Sequence, residues 1–297
     1  ITRIEGFTSA ATGIEYSDYM FKGQGALIKL TDSDSIMQSR AFMALSVNNS
    51  SASNTGGTRG TLWVALNQAL SEANAALNLD LGPTEAWHGM ISRADAKALV
   101  PVLEGDTPLL IKADRKADLV NVLALQKRFP NLDLVLVSAA EAWRVADELA
   151  AADIPVILNP EYNLPGAFDT LGSTMANAGR LEKAGVKVAI GIETHNIRLA
   201  TQHAGNAVAN GLSHAEGIAA LSKNVAEIFG VEEQIGSLAQ GMQADIVVWS
   251  GDPLEVTEAP EHVFINGQPV TLESRQTKLR DRYLNLQDKV PMPHHRP

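Results

Sequence analysis

The sequence contains no cysteine. That absence excludes disulfides, thiolate metal sites and cysteine nucleophiles. It leaves open the compartment, cytoplasmic or periplasmic, of a chain that reads as soluble. Positive charge is in deficit: 24 Lys and Arg stand against 34 Asp and Glu, for a net charge of −10. So acidic a chain carries no electrostatic footprint for nucleic acid or for an anionic membrane surface. No apolar run reaches the length of a membrane span. "ITRIEGFTSAAT", from Ile1, is expected to form a strand and its approach, with no signal peptide ahead of it in this sequence. Because the first residue is Ile and not Met, the expectation is that the chain was processed or that a segment lies upstream.

What is present suffices for a sizeable core. The chain has 297 residues, 45% hydrophobic and 20% charged, and a single α/β barrel can use this length alone. Its middle alternates short apolar runs with amphipathic stretches. "PLLIKAD" (Pro108–Asp114), "LDLVLVS" (Leu132–Ser138), "IPVILNP" (Ile154–Pro160) and "VKVAIGI" (Val186–Ile192) read as strands. Helical spacing follows the first over Arg115–Phe129, the second over Ala139–Ala152 and the third near Ser173–Ala184. Strands that are apolar throughout, each followed by a helix, imply a parallel sheet buried on both faces.

Two more helices are expected after His195. The first opens at "SHAE", a capping box with Ser213 as N-cap and Glu216 reaching back, and runs to about Leu221. The second, "NVAEIFGV", stops near Gly230. The pattern then changes to short strands in "QADIVVWSGDP" and "EHVFINGQPV", where Asn266-Gly267 signals a two-residue hairpin. The charged, then Pro- and His-rich end from about Glu273 reads as a surface-bound or loose tail. "NNSSASNTGGTRG" (Asn48–Gly60) reads as a polar surface loop; its "TGGTRG" part offers backbone N–H groups to an anion, but no strand-then-helix frame is evident around it.

In a parallel barrel, chemistry gathers at the C-terminal ends of strands. Those ends carry Lys112, Asp114 and Arg115; then Ser138 and Glu141; then Asn159, Glu161 and Asn163; then Glu193, His195 and Asn196. Side chains alternate along a strand, so Glu193 and His195 share a face if the strand extends that far. Lys112, Ser138 and Glu193 then converge at the mouth. Lys112, Glu193 and His195 are the candidate catalytic groups; Ser138, Arg115, Glu141 and Asn196 are candidate substrate contacts. An ion pair of Lys112 with Glu193 or Asp114 is expected, the former across the mouth, with a Schiff-base or carboxylated lysine as the sharper alternative. His88, in "AWHGM", is isolated, and His294 and His295 lie in the tail.

"GSLAQGMQADIVVWSGDPL" followed by "VFINGQPV" resembles the C-terminal signature of the amidohydrolase superfamily, in its imidazolonepropionase-like branch. "GVKVAIGIETHN" with "AGNAVANGLSHAEGIAALSKNVAEIFGV" is similar to that branch's last barrel strand and the helices after it. "PLLIKADRKADL" and "LVLVSAAEAWRVADELAAADIPVIL" resemble its fifth to seventh strands. The resemblance runs from about Pro108 to Val270, and "RIEGFTSA" and "GQGALIKL" extend it loosely forward.

The resemblance implies a (β/α)8 TIM-type metallo-dependent hydrolase barrel, incomplete at its N-terminal end. Residues 1–235 would form the partial barrel, 236–272 a small β-segment of a composite β-sandwich, and 273–297 the tail. It also implies hydrolysis of an amide or cyclic C–N bond with zinc or another divalent metal. A His-x-His pair of the family's first strand would lie before Ile1. The fifth-strand and sixth-strand histidine ligands match Lys112 and Ser138, and the last-strand aspartate matches Glu193. A protonated lysine is no zinc ligand and a serine hydroxyl is a poor one, so no tightly bound metal is expected in this chain. Three readings stay open: a hydrolase that has lost its metal site or completes it from upstream, a non-catalytic barrel binding a small molecule or protein, and a metal-free enzyme using Lys112 and Glu193. The expected partners are a small-molecule substrate and, at the incomplete front, an upstream fragment of the same protein or a second copy.

Overall fold

In the computed structural model, the described residues are 2–13, 17, 19–32, 35–77, 86–161, 164–192, 197 and 199–284. The apolar runs of the middle form β4 (Leu109–Lys112), β5 (Leu134–Val137), β6 (Val156–Leu158) and β7 (Val188–Ile190). They pair in chain order and in parallel, as their sequence pattern requires. Ahead of them, β1 (Ser9–Thr12), β2 (Phe21–Lys29) and β3 (Ile36–Ser46) make an antiparallel meander, and β3 then pairs with β4 in parallel. Among the described residues the result is one seven-stranded sheet, β1 to β7 in order, that curves as half of a barrel and does not close.

Alternation along each strand divides the core in two. Leu109, Ile111, Leu134, Leu136, Val156 and Val188 point outward into one large cluster. There they meet the buried faces of α2 (Arg59–Ala76), α3 (Arg93–Glu104), α4 (Lys116–Arg128) and α6 (Asn177–Ala184). Leu110, Val135 and Ala189 point inward to the concave side with Phe42 and Leu27. The other short helices of this layer are α1 (Asn49–Asn54), α5 (Ala146–Ala151), α7 (Leu199–Ala209), α8 (His214–Ala219) and α9 (Lys223–Ile228). Ile228, Phe229 and Val231, at and after the end of α9, press onto the concave side. The Phe42 and Phe229 rings meet there at 5.5 Å.

Among the described residues, the far edge of β7 is covered by helices and not by a strand. Ile190 N–H donates to the Ala220 carbonyl at 2.9 Å. The Asn224 side-chain amide donates to the Val188 carbonyl at 2.8 Å. A helix pair thus satisfies backbone groups that would otherwise invite pairing.

After α9 comes a three-stranded antiparallel sheet of β8 (Ile246–Trp249), β9 (Pro260–Ile265) and β10 (Gln268–Pro269). Its hairpin turns at Asn266-Gly267, where both residues have positive φ, 52° and 73°, as a primed turn demands. β8 pairs with β9 alone among the described residues, and Ile246 and Val248 stay partly exposed on it. The described part of the tail forms α10 (Arg275–Leu284), which buries none of its residues.

Three sequence expectations need correction. The stretch Ala139–Ala152 is not one helix: a 3-10 turn at Ala142–Arg144 precedes the short α5, because the backbone first turns around buried polar groups described below. The capping box at Ser213 is half built. Its hydroxyl accepts the Glu216 N–H at 3.2 Å, but its own N–H goes to Glu182 at 2.8 Å, while Glu216 takes the Asn224 amide. Lastly, "NNSSASNTGGTRG" does sit in a strand-then-helix frame, between β3 and α2. Asn48 caps α1, Gly56 and Gly57 take the left-handed conformation, and Thr58 caps α2.

Candidate active site

A cavity of about 710 Å³ opens on the concave side of the half-barrel. Its walls are mostly apolar, from Leu110, Val137, Ala189 and Phe229, and the polar groups Lys112, Ser138 and Asn159 stand at the C-terminal ends of β4, β5 and β6. Such an apolar pocket with a few converging polar groups suits a small organic ligand. The β4–β5 register sets Lys112 opposite Val137, so Ser138 follows immediately beside it.

Ser138 occupies an unusual turn. Its φ is +70° and that of Ala139 is +49°, a left-handed conformation that side chains seldom adopt. Two such residues cost on the order of 1–3 kcal/mol each and persist only when their surroundings over-determine them. Here they do. Ser138 N–H donates to Ile157 O at 2.9 Å, and Ala139 N–H donates to Val137 O at 3.0 Å. The buried Asn177 amide donates to Ala139 O at 3.1 Å, and its side-chain oxygen accepts Trp143 N–H at 3.1 Å. Ala140 N–H donates to the Asp114 carboxylate at 3.2 Å, and Glu141 N–H donates to the Asp114 carbonyl at 2.9 Å.

Asp114 is the acid at the centre of this arrangement. Burial pushes its carboxyl above the ordinary 3.8, while the Ser138 hydroxyl, the Ala140 N–H and the Lys112 charge pull the other way and nearby Asp169 adds to the rise. A raised folded-state value means that its contribution to stability is complete below 3.8 and is lost as pH rises through the higher folded value. Wild type should therefore lose stability relative to Asp114→Asn between pH 4 and pH 7. Chemical denaturation of both proteins at the two pH values checks this; a gap that stays constant or moves the other way contradicts it.

The other candidate residues are dispersed. Arg115 is exposed, just ahead of α4. Glu141 accepts Lys116 N–H at 2.8 Å, capping the start of α4, and does not line the cavity. Glu193, His195, Asn196 and Asn163 lie outside the described residues, as do His294 and His295, so the expected Lys112–Glu193 pair does too. His88 is exposed.

Sequence reasoning missed two groups. His203 on α7 is buried, with Nε2 3.3 Å from Glu161; burial depresses its pKa and Glu161 opposes that. Its signal was present: Ala200, His203, Ala204 and Ala207 recur at helical spacing and mark the buried face. Arg59 stood within the stretch read as a loop. It bridges Asp118 on α4 and Asp169 in the β6–α6 connection, and donates to Val47 O at 2.5 Å.

A hydrolytic divalent ion needs carboxylate and imidazole donors that converge. Among the described residues no three His, Asp or Glu side chains gather in that way. The cavity's groups at the ends of β3 to β6 are an ammonium, two hydroxyls and an amide. The described residues therefore do not fit such an ion. Nor is any described helix long and apolar enough to cross a membrane.

The model of the amidohydrolase family matches residues 118–270, just over half of the chain. Amidohydrolase tasK of Hapsidospora irregularis is 41% identical over 115 residues, which make up 34% of this chain and 11% of that protein's length. The crystal structure of an amidohydrolase from Thermotoga maritima superposes with a TM-score of 0.80 at 24% identity, over 91% of this chain and 73% of that one. That superposition bears on the fold alone, and it agrees with the half-barrel and the small C-terminal sheet.

Proposed function

This chain belongs to the amidohydrolase family, and from that premise we propose that it hydrolyses a C–N bond in a small molecule carrying an amide or cyclic amide, without a metal held by its own described residues. The observation that carries this reading is the cavity at the strand ends, where Lys112 and Ser138 stand at the positions that the imidazolonepropionase-like resemblance assigns to imidazole ligands. Lys112 supplies a positive charge beside the pocket, and Asn159 and Ser138 supply hydrogen-bonding groups to a carbonyl or amide. Glu193, His195 and Asn196 stay candidates for the same rim, with Glu193 as the acid facing Lys112.

The test is hydrolysis of a panel of small amides, lactams and cyclic imides by the purified protein, together with elemental analysis after dialysis. Turnover that withstands a chelator, with less than one divalent ion per chain, is the expected result. Stoichiometric zinc, with turnover lost on its removal, would sink the metal-free part. The same substitutions at Lys112 and Ser138 favour a second reading, a non-catalytic barrel that binds a small molecule. Saturable binding by calorimetry with no turnover of any panel member would establish that one instead.

A further inference from the structure

We infer that Lys22, Ser46 and Asn48 form a carboxylate-binding subsite in the wall of the cavity, across β3 from Lys112. The inference rests on the C–N hydrolase reading and deepens it: the substrate is an amide that bears a free carboxylate at some distance from the bond to be broken.

Three observations meet at this corner. The first is a backbone device that brings Lys22 inward. Phe21 stands opposite Leu45 and Gly23 opposite Ala44, so Lys22 is an extra residue between two consecutive partners on β3. In an unbroken ladder Lys22 would fall opposite Leu45, which belongs to the outer apolar core. With the extra residue it lines the cavity instead. Bulges that re-aim a side chain in this way are over-represented next to active sites. Gly23 permits the bulge at φ +104°, and a Cβ there would meet nothing within 4 Å, so the backbone conformation and not crowding calls for glycine. The second observation is Ser46. It follows the inward-facing Phe42 and Ala44 along β3, lines the cavity and is 1% exposed. Its oxygen accepts the Asn48 N–H at 3.4 Å, and its hydroxyl proton meets no acceptor among the described residues. A buried donor of this kind calls for a partner. The third is Asn48, which also lines the cavity. Its side-chain oxygen caps α1 by accepting the Ser51 N–H at 2.9 Å, which leaves the amide nitrogen as a donor.

An ammonium, a hydroxyl and an amide nitrogen, all donors, suit an oxyanion. Lys22 donates to the Ser17 carbonyl and, at 3.4 Å, to the hydroxyl of buried Ser51. Both acceptors are neutral, so these two contacts orient the ammonium without cancelling its charge. One ammonium matches one carboxylate; a dianionic phosphate would stay undercompensated in a protein of net charge −10. Charge-assisted hydrogen bonds are roughly twice as strong as neutral ones, and the apolar walls of the cavity strengthen them further. The register sets the reach. Ser46 stands opposite Lys112, which stands opposite Val137, the residue before Ser138. With strands about 4.8 Å apart, the carboxylate lies about 5–10 Å from an amide held at Lys112 and Ser138, the span of a short aliphatic chain.

The experiment is calorimetric titration of the full chain with glutaramate, which carries an amide and a carboxylate at opposite ends of a short chain, and with glutaramide, its neutral isostere. Wild type should bind glutaramate roughly 10- to 100-fold more tightly, the scale of a hydrogen bond to a charged group, and the preference should shrink as salt is raised. Lys22→Met should bring the two ligands level while glutaramide binds as in wild type, and Lys22→Arg should keep most of the preference. Ser46→Ala, which should lower the preference without abolishing it, reports on the subsite if Lys22→Met folds poorly. A preference that Lys22→Met leaves intact overturns the inference, because Lys22 then only ties down the backbone at Ser17. Displacement of glutaramate by inorganic phosphate, at concentrations where acetate has no effect, overturns the carboxylate assignment. Equal binding of both ligands by wild type, or binding of neither, overturns the subsite and leaves the C–N hydrolase reading to its own test. A carboxylate preference that depends on Lys22, with no amide of the panel turned over, supports the subsite and removes the C–N reading.

Discussion

Replacing Arg59 with Ala should lower the unfolding free energy by about 3–5 kcal/mol, the usual cost of taking one partner from a buried ion cluster. Arg59 begins α2 and uses nearly all of its donors. One guanidinium nitrogen reaches Asp118 and the Val47 carbonyl, another reaches Asp169 at 2.5 Å, and Asn49 accepts at 3.2–3.3 Å. Asp118 is almost fully buried and also accepts the Trp63 indole N–H at 3.1 Å. Burial still holds the Asp118 carboxyl above its ordinary range, against the pull of Trp63 and Arg59. The cluster is thus expensive to assemble, and worse when left half assembled. Replacing Arg59, Asp118 and Asp169 together with apolar residues of similar volume should recover most of the loss. Denaturant titration of both variants checks this. A loss under about 1 kcal/mol for the single change, or equal losses for single and triple, would show that the three are uncoupled.

The second large effect concerns how the small sheet is attached. Lys29, at the end of β2, and Asp245, just before β8, are both buried, with Nζ 3.2 Å from Oδ2. Lys29 also donates to Asn266 at 2.8 Å and to Gln243, and Asp245 accepts the Asn266 N–H at 2.8 Å. One cation therefore joins the half-barrel to the hairpin turn of the small sheet. Lys29→Met should cost about 3–5 kcal/mol, because it leaves Asp245 charged and dry. The loss should be local as well as global, with hydrogen exchange in β8 and β9 accelerating more than in β4 and β5. Uniform acceleration across both sheets, or none, would mean that the pair does not hold the small sheet in place.

Both clusters show why part of this protein could not be read in advance. Lys29 and Asp245 are 216 residues apart, and nothing local to either residue names the other as its partner. Arg59 sits in a Gly- and Thr-rich stretch whose local chemistry reads as loop. The Thr58 cap and the left-handed Gly56 and Gly57 were legible as turn residues, but not as the start of an 18-residue helix, since the interior of α2 is only weakly amphipathic. The cavity was legible in outline. Lys112 and Ser138 were placed at neighbouring strand ends from alternation and strand order alone, and the structure brings them to one wall. The role of Asp114 was not legible, because a carboxylate's burial and its partners depend on the turn that encloses it.

By itself, the sequence determined the parallel order of β4 to β7, the helices between most of them, the Asn266-Gly267 hairpin and the family. Those features follow from local periodicity, which each segment carries within its own few residues: apolar throughout for a strand buried on both faces, helical spacing between, and two residues able to take positive φ at the turn. Only the tertiary structure decided that α8 and α9 cover the edge of β7, that Arg59 and Lys29 join ion clusters with buried carboxylates, and that Ser138 is held in a left-handed turn near Asp114. Each of these depends on which charged or polar groups lose water together, and that is a property of distant segments packed in one place.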